Sequence, residues 1–304
     1  MFIIKNKFVF LTISAVIVLA SIVCILVYGL KLGIDFKGGT LLEVNYTTSV
    51  PDTAAVNDVL AAHKLSDAIA QPEGASGFSI KSRPLAEGER TSLISDLSIG
   101  GQYPLTETNF TSIGPSVGAE LARKAIVAII VVVIFIVLYI AFAFRTVSKP
   151  VSSWKYGLIA IATLVHDLAI PSGVFALLGH FQGAEVNTLF VVALLTVLGI
   201  SVSDTIVVFD RIRENLKNHV APTFAETVGK SLNQTFVRSI NTSLTVILVL
   251  LALFFVGPAS TKDFALVLIV GMFFGTYSSI FVASPLLVLT EAWQEKKALA
   301  AKKK

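Results

Sequence analysis

A backbone inside a bilayer has no water to bond to, so a run of about twenty apolar residues there can only be a helix. Six such runs divide this sequence, at Phe8–Leu30, Ala125–Phe144, Gly157–Leu178, Val186–Phe209, Ser239–Val256 and Phe264–Leu289. They predict an α-helical polytopic membrane protein with six transmembrane helices. The composition agrees: 54% of the 304 residues are hydrophobic and 14% are charged, where soluble domains carry about 25% charged residues. The first run follows Lys5 and Lys7 and lacks a small-residue cleavage site. It is also longer than the roughly 7–15-residue core of a secretory signal, so it is expected to remain as an uncleaved span.

The net charge of +4 divides by region. Ile34–Glu120 holds five basic and eleven acidic side chains, a balance of −6, and the remaining segments hold nineteen and nine, a balance of +10. That division fits an acidic domain outside the membrane and basic loops inside, and it argues against a nucleic-acid-binding patch. Arg145, Lys149 and Lys155, then Arg211, Arg213, Lys217 and Lys230, then Lys296, Lys297 and Lys302–Lys304 all fall on one side, whereas the opposite loops hold only His180, Glu185, Lys262 and Asp263. The positive-inside rule therefore places both termini in the cytoplasm. Cys24 stands alone in the first run, which excludes a disulfide framework, and Val23 before it disfavours a lipoprotein site.

The expected domains are a first transmembrane helix at 1–30, an extracytoplasmic domain at 31–123, a bundle of helices 2–6 at 124–290 and a basic cytoplasmic tail at 291–304. The bundle includes a cytoplasmic amphipathic segment at 210–238, in which Pro222 opens an interfacial helix with Phe224, Val228 and Leu232 on one face. Within the extracytoplasmic domain, Leu41, Glu43 and Asn45 alternate with Leu42, Val44 and Tyr46 as a strand does. A helix follows at Thr53–His63, a hairpin at Ala68–Gln71 and Phe78–Arg83 around the Gly74–Gly77 turn, a second helix at Ala86–Leu97 and a last strand at Glu107–Ile113. The order β-α-β-β-α-β is that of a small α+β ferredoxin-like domain.

Charged groups inside the apolar runs are costly and mark candidate sites. In Leu189–Asn215, Asp204 lies seven residues before Arg211 with Ser201 and Ser203 beside it, roughly 10 Å inside that arginine at helical rise. Asp167, with His166 next to it and Pro171 four residues on, lies near mid-bilayer. Arg238 opens the fifth run, with Asn241 adjacent and Thr242 and Thr245 on its face. A carboxylate in low dielectric can load and release a proton near neutral pH, and an arginine moving towards it can set when the proton leaves. Asp204 and Arg238 are thus a candidate proton relay, the alternative being a static ion pair that fixes helix packing. His166 and Asp167 are either a relay or a structural hydrogen-bonded pair. Two intramembrane aspartates also raise an aspartyl protease, but the G-x-G-D loop of such enzymes is absent before Asp204, and no P-loop, G-x-S-x-G elbow or metal-ligand cluster occurs. His63, His180 and His219 read as surface residues. Gly271-x-x-x-Gly275 in the last run permits close helix contact, or small residues stand there by chance.

Four ordered motifs resemble one family. Gly33-Ile34-Asp35-Phe36-Lys37-Gly38-Gly39-Thr40 after the first run, Ile113-Gly114-Pro115-Ser116-Val117-Gly118 before the second and Val165-His166-Asp167 in the third resemble the SecD/SecF signature. Gly199-Ile200-Ser201-Val202-Ser203-Asp204 through Asp210-Arg211-Ile212-Arg213-Glu214-Asn215 resembles its SecF branch. The resemblance covers almost the whole chain and departs from the common pattern at Lys37, Ile200 and Ser203, where Thr, Tyr and Asn are usual. It implies an accessory, non-catalytic subunit of the Sec protein translocase in the cytoplasmic membrane of a bacterium or archaeon. Its implied partners are SecD, the translocon channel and unfolded secretory polypeptides, with no cofactor. Together with SecD, twelve spans would form a core like that of RND transporters and use the proton gradient to promote export. Asp204 then matches the family's proton-carrying aspartate and Arg238 the arginine associated with it, and the missing amide at Ser203 is expected to alter the hydrogen bonding of Asp204. A scaffold that stabilises the translocon and an RND-type half-transporter for small molecules are the competing readings, the second disfavoured by the short extracytoplasmic segment.

Overall fold

The computed structural model describes residues 2–144 and 151–302, apart from the side chains of Ser153, Ala259, Ala298 and Lys302. In chain order the elements are α1 (Phe2–Lys5), α2 (Lys7–Tyr28), α3 (Ile34–Lys37), β1 (Gly39–Tyr46), α4 (Thr53–Ala62), β2 (Ile69–Glu73), β3 (Gly77–Ser82), α5 (Glu87–Leu97) and β4 (Leu105–Ile113). The long helices follow: α6 (Pro115–Ala143), α7 (Ser153–Gln182), α8 (Thr188–Lys217), α9 (Phe224–Val256), α10 (Ala259–Ser278), a π turn (Ser279–Ala283) and α11 (Ser284–Lys302). Residues 32–126 and 185–188 form one compact unit and the other described residues a second.

In the first unit β1 is central, antiparallel to both β3 and β4, and β2 pairs with β3 at the edge, giving the order β2-β3-β1-β4. The alternation expected for β1 holds: Leu42, Val44 and Tyr46 are buried, with Phe78 and Ile80 from β3 and Val56, Leu60, Leu93 and Leu97 from the two helices. Pro72, which has no N–H to give, stands on edge strand β2. A bulge between Glu43 and Val44 shifts the pairing with β4. Burial pushes the Tyr46 phenol up to about 12, and its hydroxyl donates to the Leu97 carbonyl at 3.3 Å. Within this unit the ends of the expected strands and helices differ from the sequence reading by one or two residues, the ordinary uncertainty at a frayed terminus.

The second unit holds six helical stretches long and apolar enough to cross a membrane, the last running from Ser260 through the π turn to Ala301. α2 and α6 bury little of themselves against the chain, whereas α7 and the last stretch are more than half buried. Close approach depends on glycine. A Cβ on Gly173 of α7 would stand 2.5 Å from the Ser21 Cα of α2, and one on Gly271 of α10 would stand 2.2 Å from Val197 Cγ2 of α8. Phe144, Tyr156 and Phe209 close one end, the first two stacked at 5.3 Å and Phe209 edge-on to Tyr156 at 5.1 Å.

One expectation is corrected. Phe224, Val228 and Leu232 do not form an exposed apolar face; they are buried in one cluster with Val208, Phe209 and Ile212 of α8. Helix α9 runs unbroken from Phe224 to Val256, so the amphipathic stretch continues directly into the fifth apolar helix. Its polar side pairs with α8: Asn215 Nδ2 donates to Ser231 Oγ at 2.8 Å and Gln234 Oε1 at 2.7 Å, and Arg211 Nε donates to Gln234 Oε1 at 2.8 Å. Arg145 and Lys149, used in the orientation argument, lie outside the described residues, as do Lys303 and Lys304.

Candidate functional site

α8 buries Leu194, Val197, Leu198, Ser201, Val202 and Thr205 at helical spacing, a stripe that ends in the aromatic cluster at Val208 and Phe209. Asp204 stands beside this stripe and is half-buried, whereas Ser203 is exposed. Its Oδ1 accepts the Ser239 hydroxyl of α9 at 2.5 Å. Its Oδ2 is enclosed and has no hydrogen-bond partner among the described residues.

Asp167 has the opposite surroundings. It is completely buried and accepts from His166 Nδ1 at 2.8 Å, from Ser278 Oγ at 2.9 Å and from Ser201 Oγ. Three helices meet on this one carboxylate. Pro171 lies inside α7, and its missing N–H leaves the Asp167 backbone carbonyl without the usual helical donor. The His166 ring stacks near Tyr277 at 6.2 Å, and its Nε2 is buried with no partner among the described residues. The π turn continues the network, with Ser279 Oγ and Thr205 Oγ1 2.8 Å apart and Ser243 of α9 bonded to Thr276 of α10.

Space around Asp204 is unequal. Towards α10 it borders a gap of about 10 Å³ lined by Val197, Ser201, Gly271, Gly275 and Thr276, at the lower limit for a single water. One turn further along α8 and α9 lies a cavity of about 320 Å³ lined by Val207, Asp210, Arg211, Glu214, Gln234, Thr235 and Arg238. That space is many times what a single water needs. Arg238 lines it and is exposed, and no ion pair joins it to Asp204 among the described residues. Asp210 pairs with Arg213 at 3.2 Å and Arg211 with Glu214 at 2.6 Å on the same rim. Two of the four sequence-predicted groups, His166 and Asp167, are in direct contact; Asp204 bonds Ser239, the residue after Arg238 in the chain, and not Arg238 itself.

The glycine motifs serve another purpose. Gly38 has φ +80°, and a Cβ there would meet Pro115 backbone at 2.9 Å, while one on Gly118 would meet the Gly38 nitrogen at 2.8 Å. The motif after the first span and the one before the second thus interlock. Phe36 is buried, Gly39 has φ +141° against the Ser82 carbonyl, and a Cβ on Gly114 would meet nothing within 4 Å. Gly33 N–H donates to the Val186 carbonyl at 2.8 Å, and Asp35 Oδ2 accepts the Thr188 N–H at 2.7 Å. Sequence reasoning passed over Ser239 and Ser278, the hydroxyls that hold the two aspartates. The one available signal was that each lies within an apolar run.

Residues 100–293 match the family model described as protein export membrane protein SecD/SecF, C-terminal, and residues 25–50 match the SecD/SecF GG motif. The chain is 43% identical over 307 residues to the protein translocase subunit SecF of Thermobaculum terrenum, covering 97% of this chain and 94% of that one. It is 35% identical to the SecF of Anaerolinea thermophila, covering 95% and 94%. Against the crystal structure of SecDF, a translocon-associated membrane protein from Thermus thermophilus, the TM-score is 0.81 at 33% identity, covering 96% of this chain and 38% of that one. The chain therefore spans about two fifths of that SecDF polypeptide.

Proposed function

The chain belongs to the SecD/SecF family of protein export membrane proteins, and from that premise we propose that it is the accessory subunit which, with SecD, uses the proton gradient to promote export. The substrates on this reading are unfolded polypeptides leaving through the Sec channel across the cytoplasmic membrane. Both termini then face the cytoplasm, and the sheet unit, with ferredoxin-like strand order, works on the far side.

The observation that carries the reading is the unequal state of the two aspartates. Asp204 has one donor and one enclosed, unpartnered oxygen, an arrangement that suits a carboxyl binding a proton on that oxygen. Loss of the proton leaves a charge in an apolar bundle, which draws Arg238 from the cavity rim. One charge crossing the membrane supplies about 2.3 kcal/mol per 100 mV. Asp167, satisfied by three donors, holds α7, α8 and α10 together in this account, and His166 orients it.

The test is export into membrane vesicles energised by a proton gradient, each variant co-expressed with SecD. Wild type should stimulate export only while the gradient stands, and Asp204→Asn should assemble and give no stimulation. An Asp204→Asn complex that stimulates as wild type does would make the chain a scaffold.

A further inference from the structure

Segment 32–38 grips the first residue of α8. Leu32 forms an isolated bridge with Val186, and the Gly33 N–H donates to the same residue's carbonyl at 2.8 Å. Lys81 of β3 holds Glu185 at 3.0 Å. The Asp35 carboxylate then accepts the Thr188 N–H at 2.7 Å. Behind it, Gly38 is fixed against Pro115 and Gly118 at the head of α6. The first four N–H groups of a helix have no partner within it, and its N-terminal end carries partial positive charge. A carboxylate suits both needs.

We infer that Asp35 is a positioning residue: it anchors the head of α8 to segment 32–38 and so sets the axial position of the helix that carries Asp204. A helix is stiff along its axis, so a displacement at Thr188 passes to Asp204, about 24 Å further on at 1.5 Å per residue. The functional half of this inference rests on the proton-driven reading above.

The test uses the full complex with SecD carrying Asp35→Ala, Asp35→Asn or, in parallel, Asp204→Asn. Asn caps helices about as well as Asp, whereas Ala removes the acceptor. Amide hydrogen exchange over the first turn of α8 should quicken about fivefold in Asp35→Ala, the factor expected for one lost cap, and return towards wild type in Asp35→Asn. Gradient-driven export at equal complex abundance should fall in the Ala variant and recover in the Asn variant, and the pH of half-maximal stimulation should move only in the Ala variant. A merely structural role would lower complex abundance and leave that pH in place. Unchanged exchange overturns the anchor; faster exchange with unaltered export and pH profile overturns the positioning role. Asp204→Asn judges the proton-driven reading by itself, since its failure there leaves the exchange and export results for Asp35 to decide the anchor.

Discussion

Asp167 and Asp204 are both aspartates in apolar helices, yet their surroundings differ, and the proposed function gives them different work. Removing the Asp167 carboxylate leaves the Ser201 hydroxyl and the His166 ring nitrogen without their acceptor, while Ser278 keeps the Gly275 carbonyl, and each buried group left unpaired costs about 1–3 kcal/mol. Asp167→Ala should therefore lower the stability of the purified complex by about 3 kcal/mol, whereas Asp204→Asn keeps the bond from Ser239 and should change it by less than about 1 kcal/mol. Thermal unfolding in detergent at one pH compares them, and equal losses would refute the division of roles. Asp204, Arg238, His166 and Asp167 were legible in the sequence because a titratable group is expensive inside an apolar run. Ser239 and Ser278 were not, because a serine can bond its own helix backbone and costs little there. Position 203, singled out from the family pattern, proves to be exposed.

At the scale of elements, spacing showed which faces are apolar but not what covers them. The period of Phe224, Val228 and Leu232 was read correctly, and its partner was misjudged as lipid because protein and lipid are equally apolar neighbours. The Gly271-x-x-x-Gly275 pattern, left open in the sequence, is a real contact: the Gly271 Cα faces Val197 with no room for a methyl group. Overpacking of this kind costs about 1–3 kcal/mol. Gly271→Ala should lose that much, while Gly199→Ala on the same bundle, where a Cβ meets nothing within 4 Å, should be neutral or gain up to about 1 kcal/mol of helix propensity. Unfolding of the chain purified alone reads both variants. Similar effects at the two glycines would mean that α8 and α10 do not pack as closely as described. In the sheet, the β1 alternation was legible in full, because one face meets a core and the other water.

For the whole molecule, the six apolar runs were enough to read the number of long helices, since nothing but a helix satisfies a backbone in lipid. The grip of segment 32–38 on residues 185–188 was invisible, because a contact between positions some 150 residues apart leaves no local pattern. On the proposed reading the chain works with a second subunit on the proton gradient, and its role in export depends on Asp204 binding a proton. The direct measurement is the pH-difference infrared spectrum of the complex with SecD, followed in the carboxylic-acid C=O region. The account predicts a protonated-carboxyl band that appears and vanishes with pH in wild type and in Asp167→Asn, and is missing in Asp204→Asn. A band unchanged by Asp204→Asn would contradict it.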